Sequence, residues 1–353
     1  MRNIQNIRNF LAFSGVLFGL LCWPLLAGAE GQRKAILIGI NDYARSAIPD
    51  LRGAVNDVHL MSELLQTRMG FPKENIITLT DEQATRENIL NALSKFVEGI
   101  NQDDTVYIHF SGHGSQAKDV NGDEQDGYDE TFLPYNARQK GIPDIIDEEF
   151  NQLLSKVKTD YALIVFDSCH SGTVTRGLLN EDEEEGKNFA FRAVPPDDGS
   201  DGRDVEEIYG AIETETEVET ETETETETTS ETEVVTDTEV VTEETETASE
   251  NEGDDGLKSR EVVAVESLGY VLMTSAPAHM QALDGPIGEN NEFYGIFSYA
   301  LAKALNEHGP NGTPRQIHTS VRKTLAEMQA KYRFQAPEPQ LEIHPDRLDI
   351  SLF

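Results

Sequence analysis

A histidine and a cysteine each follow a run of apolar residues in this chain. His113 lies in residues 110–115, Phe-Ser-Gly-His-Gly-Ser, and Cys169 lies in residues 167–172, Asp-Ser-Cys-His-Ser-Gly. A thiolate is a nucleophile, and a positioned histidine can accept the thiol proton and then deliver a proton to a leaving amine. These residues predict covalent catalysis on a carbonyl compound, with the amide N–H groups of Gly114 and Cys169 as an oxyanion hole.

The apolar runs at 105–110 and 161–166 must position both groups. They are continuous and rich in aliphatic residues, which predicts buried strands of a parallel sheet. The carboxyl ends of neighbouring parallel strands meet at one crevice, so we expect His113 and Cys169 to lie close together there. Strands and helices alternate along the chain, which predicts an α/β fold with a mostly parallel central sheet flanked by helices. The other predicted strands span 34–41, 75–80, 269–275 and 348–353, and the helices span 56–69, 85–100, 147–156, 295–306 and 317–332.

Five strings in this chain resemble blocks of the caspase-like cysteine peptidases of family C14, specifically the metacaspases and their bacterial relatives. They are residues 34–41, 51–57 and 122–130 together with the histidine and cysteine strings. The Gln-Ala-Cys string of the caspases proper is absent, which favours the metacaspase side. The resemblance implies a caspase-like (caspase-hemoglobinase) fold, with a p20-like catalytic region at 33–176 and a p10-like region at 266–353.

The resemblance also implies a substrate preference. It assigns Asp57, Ser111 and Asp167 to the primary specificity pocket, and such an acidic pocket selects cations. Arginine pairs with a carboxylate through two parallel hydrogen bonds, so it suits this pocket better than lysine does. From spacing alone, Asp57 is equally well explained as an acid in the first turn of a helix. The implied activity is hydrolysis of protein or peptide substrates after Arg or Lys.

No cofactor is required for this chemistry, but the resemblance raises calcium as an activator. The family's calcium site would involve Asp129, Asp147 and Glu148. Arg176 stands where the family pattern places a calcium-ligating acid, which weakens the site or removes its need for metal. The alternative is a solvated acidic loop.

The N-terminal residues have the pattern of a secretory signal. Two arginines precede an apolar stretch at 10–26, and Ala-Gly-Ala follows at 27–29. We therefore predict a signal peptide over 1–29 and export to the periplasm or beyond, with no stable membrane insertion after its removal; the alternative is an uncleaved membrane anchor. Removal would leave Cys169 as the only cysteine, either reactive or buried and inert.

An acidic segment separates the nucleophile strand from the next predicted strand. The chain has a net charge of −37, and residues 204–256 hold 22 acidic residues and no Lys or Arg. Residues 213–247 are nearly pure Glu-Thr alternation without aromatics, which predicts a disordered insert over 177–265. Self-processing could occur at the basic residues that flank this tract, which are Arg176, Lys187, Arg192, Arg203, Lys258 and Arg260. No segment is basic enough to bind nucleic acid.

Two function classes remain open. The chain is either an exported cysteine endopeptidase or a catalytically silent caspase-fold scaffold, which could respond to calcium through its acidic residues. Intact His113 and Cys169 favour the enzyme, because a scaffold has no chemical need for either. We interpret His109 as a core residue and His170 as structural, and whether the protein is a monomer or a dimer stays open.

Overall fold

A seven-stranded sheet forms the centre of the structure, a computed structural model that describes residues 31–120, 122, 127–169, 189–197, 199, 204, 208–210, 212, 262–264, 269–276, 281–335 and 338–353. In these residues the strands are β1 Arg33–Gly39, β2 Ile76–Thr80, β3 Thr105–Ser111, β4 Gly114–Lys118, β5 Tyr128–Phe132, β6 Ile145–Ile146, β7 Tyr161–Asp167, β8 Ala190–Phe191, β9 Val262–Ala264, β10 Val271–Thr274, β11 Leu283–Pro286, β12 Phe293–Gly295 and β13 Gln340–Ile343. The central sheet has the order β2-β1-β3-β7-β10-β13-β9. Only β13 runs antiparallel to a neighbour, β10, so the sheet is mostly parallel as predicted.

Helices cover both faces of this sheet. The described helices are α1 Ala54–Thr67, α2 Arg86–Glu98, α3 Asp147–Leu154, α4 Ile296–His308 and α5 Pro314–Tyr332. Side chains alternate along a strand, so Leu37 joins the core beneath α1, α4 and α5 while Ile36 and Ile38 join the core beneath α2 and α3. The predicted α/β class is confirmed, and the helix positions agree with prediction to within a few residues.

Local sequence explains where two of these helices begin. The Thr85 side chain accepts a hydrogen bond from the Asn88 amide at the start of α2. At the start of α5, Thr313 and Gln316 form a reciprocal capping box, and Pro314 occupies the first turn. These contacts satisfy amide groups that have no partner inside a helix.

The prediction of a final strand over 348–353 is wrong. Pro345 begins a short 3-10 turn, and the tail then folds back so that the Leu352 amide donates to the Gly312 carbonyl at 3.0 Å. The Phe353 ring packs against Phe71 and Tyr107. The apolar residues of the C-terminal tail thus enter the core from a loop. The strand beside β10 is β13, which comes earlier in the chain.

Two short antiparallel sheets flank the carboxyl end of the central sheet. One has the order β4-β5-β6 and the other β12-β11-β8.

Strands β8 and β9 fall within 177–265, the range predicted as an insert. The acidic tract at 213–261 and the predicted signal at 1–29 lie outside the described residues. Among the residues that are described, no helix is long and apolar enough to span a membrane.

Candidate active site

Three parallel strands end side by side and bring the predicted residues together. Gly39 of β1 lies opposite Ser111 of β3, and Ser111 lies opposite Asp167 of β7. His113 and Cys169 follow two residues beyond the ends of β3 and β7. Gly114 lies directly against the Cys169 backbone, where a Cβ would overlap the Cys169 carbonyl group. A glycine at 114 is therefore what allows these two chain segments to approach.

The imidazole of His113 is held by a backbone carbonyl. Its Nε2 lies 2.8 Å from the Pro49 oxygen, and since a carbonyl only accepts, Nε2 carries the proton. Nδ1 is buried and has no hydrogen-bond partner among the residues that the structure describes. Burial lowers the pKa of His113 to about 4, so the ring is neutral at pH 7 and Nδ1 has a free lone pair. The Tyr43 hydroxyl fixes the segment by accepting the His113 amide hydrogen at 2.8 Å.

The thiol of Cys169 is enclosed in this arrangement. The side chain is 1% exposed and packs with Ala193 and Ala282. Its Sγ donates to the Ala282 carbonyl at 3.4 Å and accepts the Ala282 amide hydrogen. Burial raises the pKa of the thiol to about 12. The pair of His113 and Cys169 is thus neutral, the state expected while the crevice is covered.

The covering element is residues 189–194 of the same chain. The Arg192 carbonyl oxygen accepts the amide hydrogens of Gly114 at 2.9 Å and Cys169 at 3.2 Å. These are the two amides that the sequence predicts as an oxyanion hole. The Arg192 amide donates to the Ala282 carbonyl at 3.0 Å, and the Val194 amide donates to the Gly114 carbonyl at 3.1 Å. The segment therefore lies in extended conformation across the crevice.

The Arg192 guanidinium lies among three carboxylates and one hydroxyl. Its Nη2 lies 2.7 Å from Asp57 Oδ2 and 3.0 Å from Asp284 Oδ1. Its Nη1 lies 3.2 Å from Asp167 Oδ2 and donates to Ser111 Oγ at 2.6 Å. All five residues are fully buried. Burial raises the pKa of Asp57 to about 7 although the guanidinium opposes that shift.

Backbone groups hold the three carboxylates in place. The Gly295 amide donates to Asp57 at 2.9 Å, and the Ser298 amide donates to Asp167 at 3.0 Å. The Gly53 amide donates to Asp284 at 3.1 Å. Asp57 also lies in the first turn of α1, so its position in the helix and its contact with Arg192 are compatible. The pocket is a preorganised anionic site.

Sequence reasoning missed three contributors to this crevice. Asp284 lies in a short Leu-Asp-Gly-Pro strand that reads as a turn, and no sequence signal marks it. Pro49 contributes only its carbonyl. Tyr43 lies four residues beyond the end of β1, and the rule that loops at neighbouring strand ends converge could have identified it. His109, predicted as a core residue, is fully buried. Its Nδ1 lies 2.9 Å from Tyr107 Oη, and its Nε2 lies 3.1 Å from Ser298 Oγ.

The acids predicted as calcium ligands lie near one another. Asp129 is in β5, and Asp147 and Glu148 begin α3. Asp147 Oδ1 is buried and has no hydrogen bond to any described residue, and burial together with the nearby Glu148 and Glu130 raises the pKa of Asp147 to about 9. In the described part of the chain, no three acidic, histidine or cysteine side chains are arranged to hold a metal ion. Arg176 and His170 lie outside it.

Comparisons with known proteins find relatives of residues 33–176 and a solved structure with the same fold. Residues 33–176 match the family model "Metacaspase, peptidase C14 domain". Metacaspase-1 of Botryotinia fuckeliana is 39% identical over 171 residues, which cover 44% of this chain and 40% of that protein, and Metacaspase-1A of Aspergillus oryzae gives the same figures. The match thus spans about two fifths of the length of these relatives. A crystal structure of protein GSU0716 from Geobacter sulfurreducens shares the fold, with a TM-score of 0.56, 19% identity, and coverage of 91% of this chain and 97% of that one.

Proposed function

We propose that this chain, whose residues 33–176 match the family model "Metacaspase, peptidase C14 domain", is a cysteine endopeptidase that hydrolyses peptide bonds after arginine. The observation that carries the proposal is the position of Arg192. Its carbonyl oxygen lies on the amides of Gly114 and Cys169 while its guanidinium fills the acidic pocket. A peptide substrate that replaced this segment would have its arginine carbonyl on the same two amides.

The proposed reaction uses His113 and Cys169 in two stages. Nδ1 of His113 takes the thiol proton, and Sγ of Cys169 attacks the arginine carbonyl carbon. The amides of Gly114 and Cys169 stabilise the resulting oxyanion. His113 then gives its proton to the amide nitrogen, the C–N bond breaks, and an acyl thioester remains. Water hydrolyses the thioester, which releases the new carboxyl end and restores the thiol.

Lysine is the second choice of the same pocket. An ammonium group is a compact point charge, whereas the guanidinium contacts Asp57 and Asp284 through one nitrogen and Asp167 and Ser111 through the other. A lysine side chain cannot make this set of contacts at once. We therefore propose that Arg is preferred and Lys accepted.

The chain is also its own first substrate in this proposal. The Arg192–Ala193 bond adjoins the thiol, because Ala193 packs in one small buried cluster with Cys169 and Ala282. Cleavage there would release the covering segment in two parts. Of the six basic residues predicted as processing sites, Arg192 is the one within the described residues.

Hydrolysis of fluorogenic peptides tests the activity. The chain without residues 1–29 should cleave peptides ending in Arg, cleave Lys peptides more slowly, and leave Asp peptides intact, because a fourth carboxylate would face Asp57, Asp167 and Asp284. The measurement is kcat/KM for peptides that differ only in the last residue. Cleavage of Asp peptides, or of none, would contradict the proposal, and the second outcome would favour the catalytically silent scaffold.

We propose calcium as an activator because the predicted ligands Asp129, Asp147 and Glu148 are all carboxylates. Carboxylate oxygens are the ligands that calcium prefers, and a divalent cation near Asp147 would relieve the repulsion from Glu148 and Glu130. Further ligands would have to complete the site. A bound calcium ion held by Asp147 and Glu148 would favour the charged form of these carboxylates.

Calcium affinity should therefore rise with pH up to about 9, because the pKa of Asp147 is raised to about 9 and the proton must leave before the metal binds. Titration calorimetry at pH 6.5 and 8.5 should show tighter binding at the higher pH, with proton release at both and more of it at the lower pH. Asp147→Asn should abolish the pH dependence, whereas Asp103→Asn, an exposed acid on another loop, should leave it unchanged. Affinity that is equal at both pH values would contradict this account.

A further inference from the structure

A second side chain of the covering segment is seated in a pocket of its own. Phe189, three residues before Arg192, is 7% exposed. Its ring centroid lies 5.2 Å from that of Phe334 and 6.3 Å from that of Tyr332. Leu283 and Ile287 belong to the same core cluster. The segment is therefore held at two points, by charge at Arg192 and by an aromatic contact at Phe189.

The protein builds this pocket with two local devices. Tyr332 ends α5, and Arg333 adopts a left-handed conformation with φ 55° and ψ 35°, which reverses the chain and brings Phe334 beside the helix end. Gly285 forms the opposite wall. A Cβ at 285 would overlap the Phe189 ring, so the absence of a side chain there makes room for an aromatic group.

The strand register would place an extended substrate peptide as it places residues 189–192 of this chain. Phe191 pairs with Leu283 and Ala190 pairs with Asp284 in an antiparallel ladder. One step further along this register, residue 189 lies opposite Gly285. A peptide whose arginine occupies the acidic pocket, and which pairs with β11, must therefore present the residue three positions before the arginine to Gly285, Tyr332 and Phe334.

We propose that this pocket is a second specificity site, which selects substrates with an aromatic residue three positions before the cleaved arginine. The inference rests on the proposed function, since it concerns peptides bound in the same crevice. The preferred substrate has the pattern aromatic-X-X-Arg, and Phe189-Ala190-Phe191-Arg192 is the chain's own example. The aromatic ring contributes binding by leaving water for an apolar, aromatic-lined site.

Two tetrapeptide substrates test this inference directly. Phe-Ala-Phe-Arg and Ala-Ala-Phe-Arg, each with the same fluorogenic leaving group, should differ by about tenfold or more in kcat/KM in favour of the first, as expected for burial of one aromatic side chain. Gly285→Ala should bring the two values together by slowing only the first peptide, because the added Cβ occupies the space of the ring. Gly269→Ala is the matched control, since a Cβ there meets nothing within 4 Å, and it should keep the full ratio.

The outcomes separate the two proposals. Equal cleavage of both peptides by the unsubstituted chain would overturn the second specificity site and leave the arginine peptidase standing. Failure to cleave either peptide would overturn the proposed function and this inference with it. Loss of the ratio in Gly285→Ala, with the alanine peptide cleaved as before, would support the pocket as described.

Discussion

Replacement of Cys169 by alanine is expected to reduce the cleavage of arginine peptides by a factor of at least about a thousand. The same change should leave the Arg192–Ala193 bond intact. Both results have one cause, since no other thiol remains after the predicted signal is removed. Peptide hydrolysis and intact mass of the purified chain measure the two effects. The Cys169→Ala protein should be a single uncut species. The unsubstituted protein should appear as two fragments joined by noncovalent contacts.

The variant should fold normally, because the lost Sγ contacts only the Ala282 backbone among the described hydrogen bonds. Ser275→Ala is a suitable control. It deletes one buried side-chain heteroatom in the same crevice, a hydroxyl that donates to the Ser168 carbonyl at 3.0 Å, and it should retain activity. Cleavage that persists in Cys169→Ala would show that a different nucleophile, or a contaminating protein, hydrolyses the arginine peptides.

The sequence predicted well those parts of the site that depend on strand ends. Apolar runs marked β3 and β7, and parallel pairing then placed Ser111 beside Asp167 and brought His113 and Cys169 to one edge. No long-range information was needed, since each reactive residue lies within two positions of its strand. The family resemblance, not a strand end, supplied Asp57, which lies in the first turn of α1.

The parts that the sequence did not predict depend on distant segments. Asp284 meets the Gly53 amide across more than two hundred residues, and only the folded β11 brings it to the pocket. The substrate-like position of Arg192 depends on the register between β8 and β11, which two-residue and four-residue strands do not reveal. The orientation of His113 depends on one carbonyl in a loop, at Pro49.

Substitution of Arg192 by glutamine is expected to open the site without cleavage. Glutamine removes the cation and leaves Asp57, Asp167 and Asp284 buried around a neutral group. Loss of one partner from a buried ion pair commonly costs about 3–5 kcal/mol, so residues 189–194 should no longer cover the crevice. The chain should then remain intact at 192, hydrolyse arginine peptides from the moment of purification, and react with iodoacetamide at Cys169 at least about ten times faster than the uncut parent chain.

Intact mass spectrometry distinguishes these possibilities because it reads alkylation on the uncut chain separately from the fragments. Arg86→Gln is the control, since Arg86 is also in a close ion pair, 2.6 Å from Glu149, but does not touch the covering segment; its uncut chain should be alkylated as slowly as the parent. If Arg192→Gln were alkylated no faster, the segment would be held by its backbone pairing with β11 rather than by its charge. In that case the acidic pocket would not control access to the thiol. Faster alkylation together with immediate peptide hydrolysis would establish that Arg192 both blocks the active site and occupies it as a substrate does.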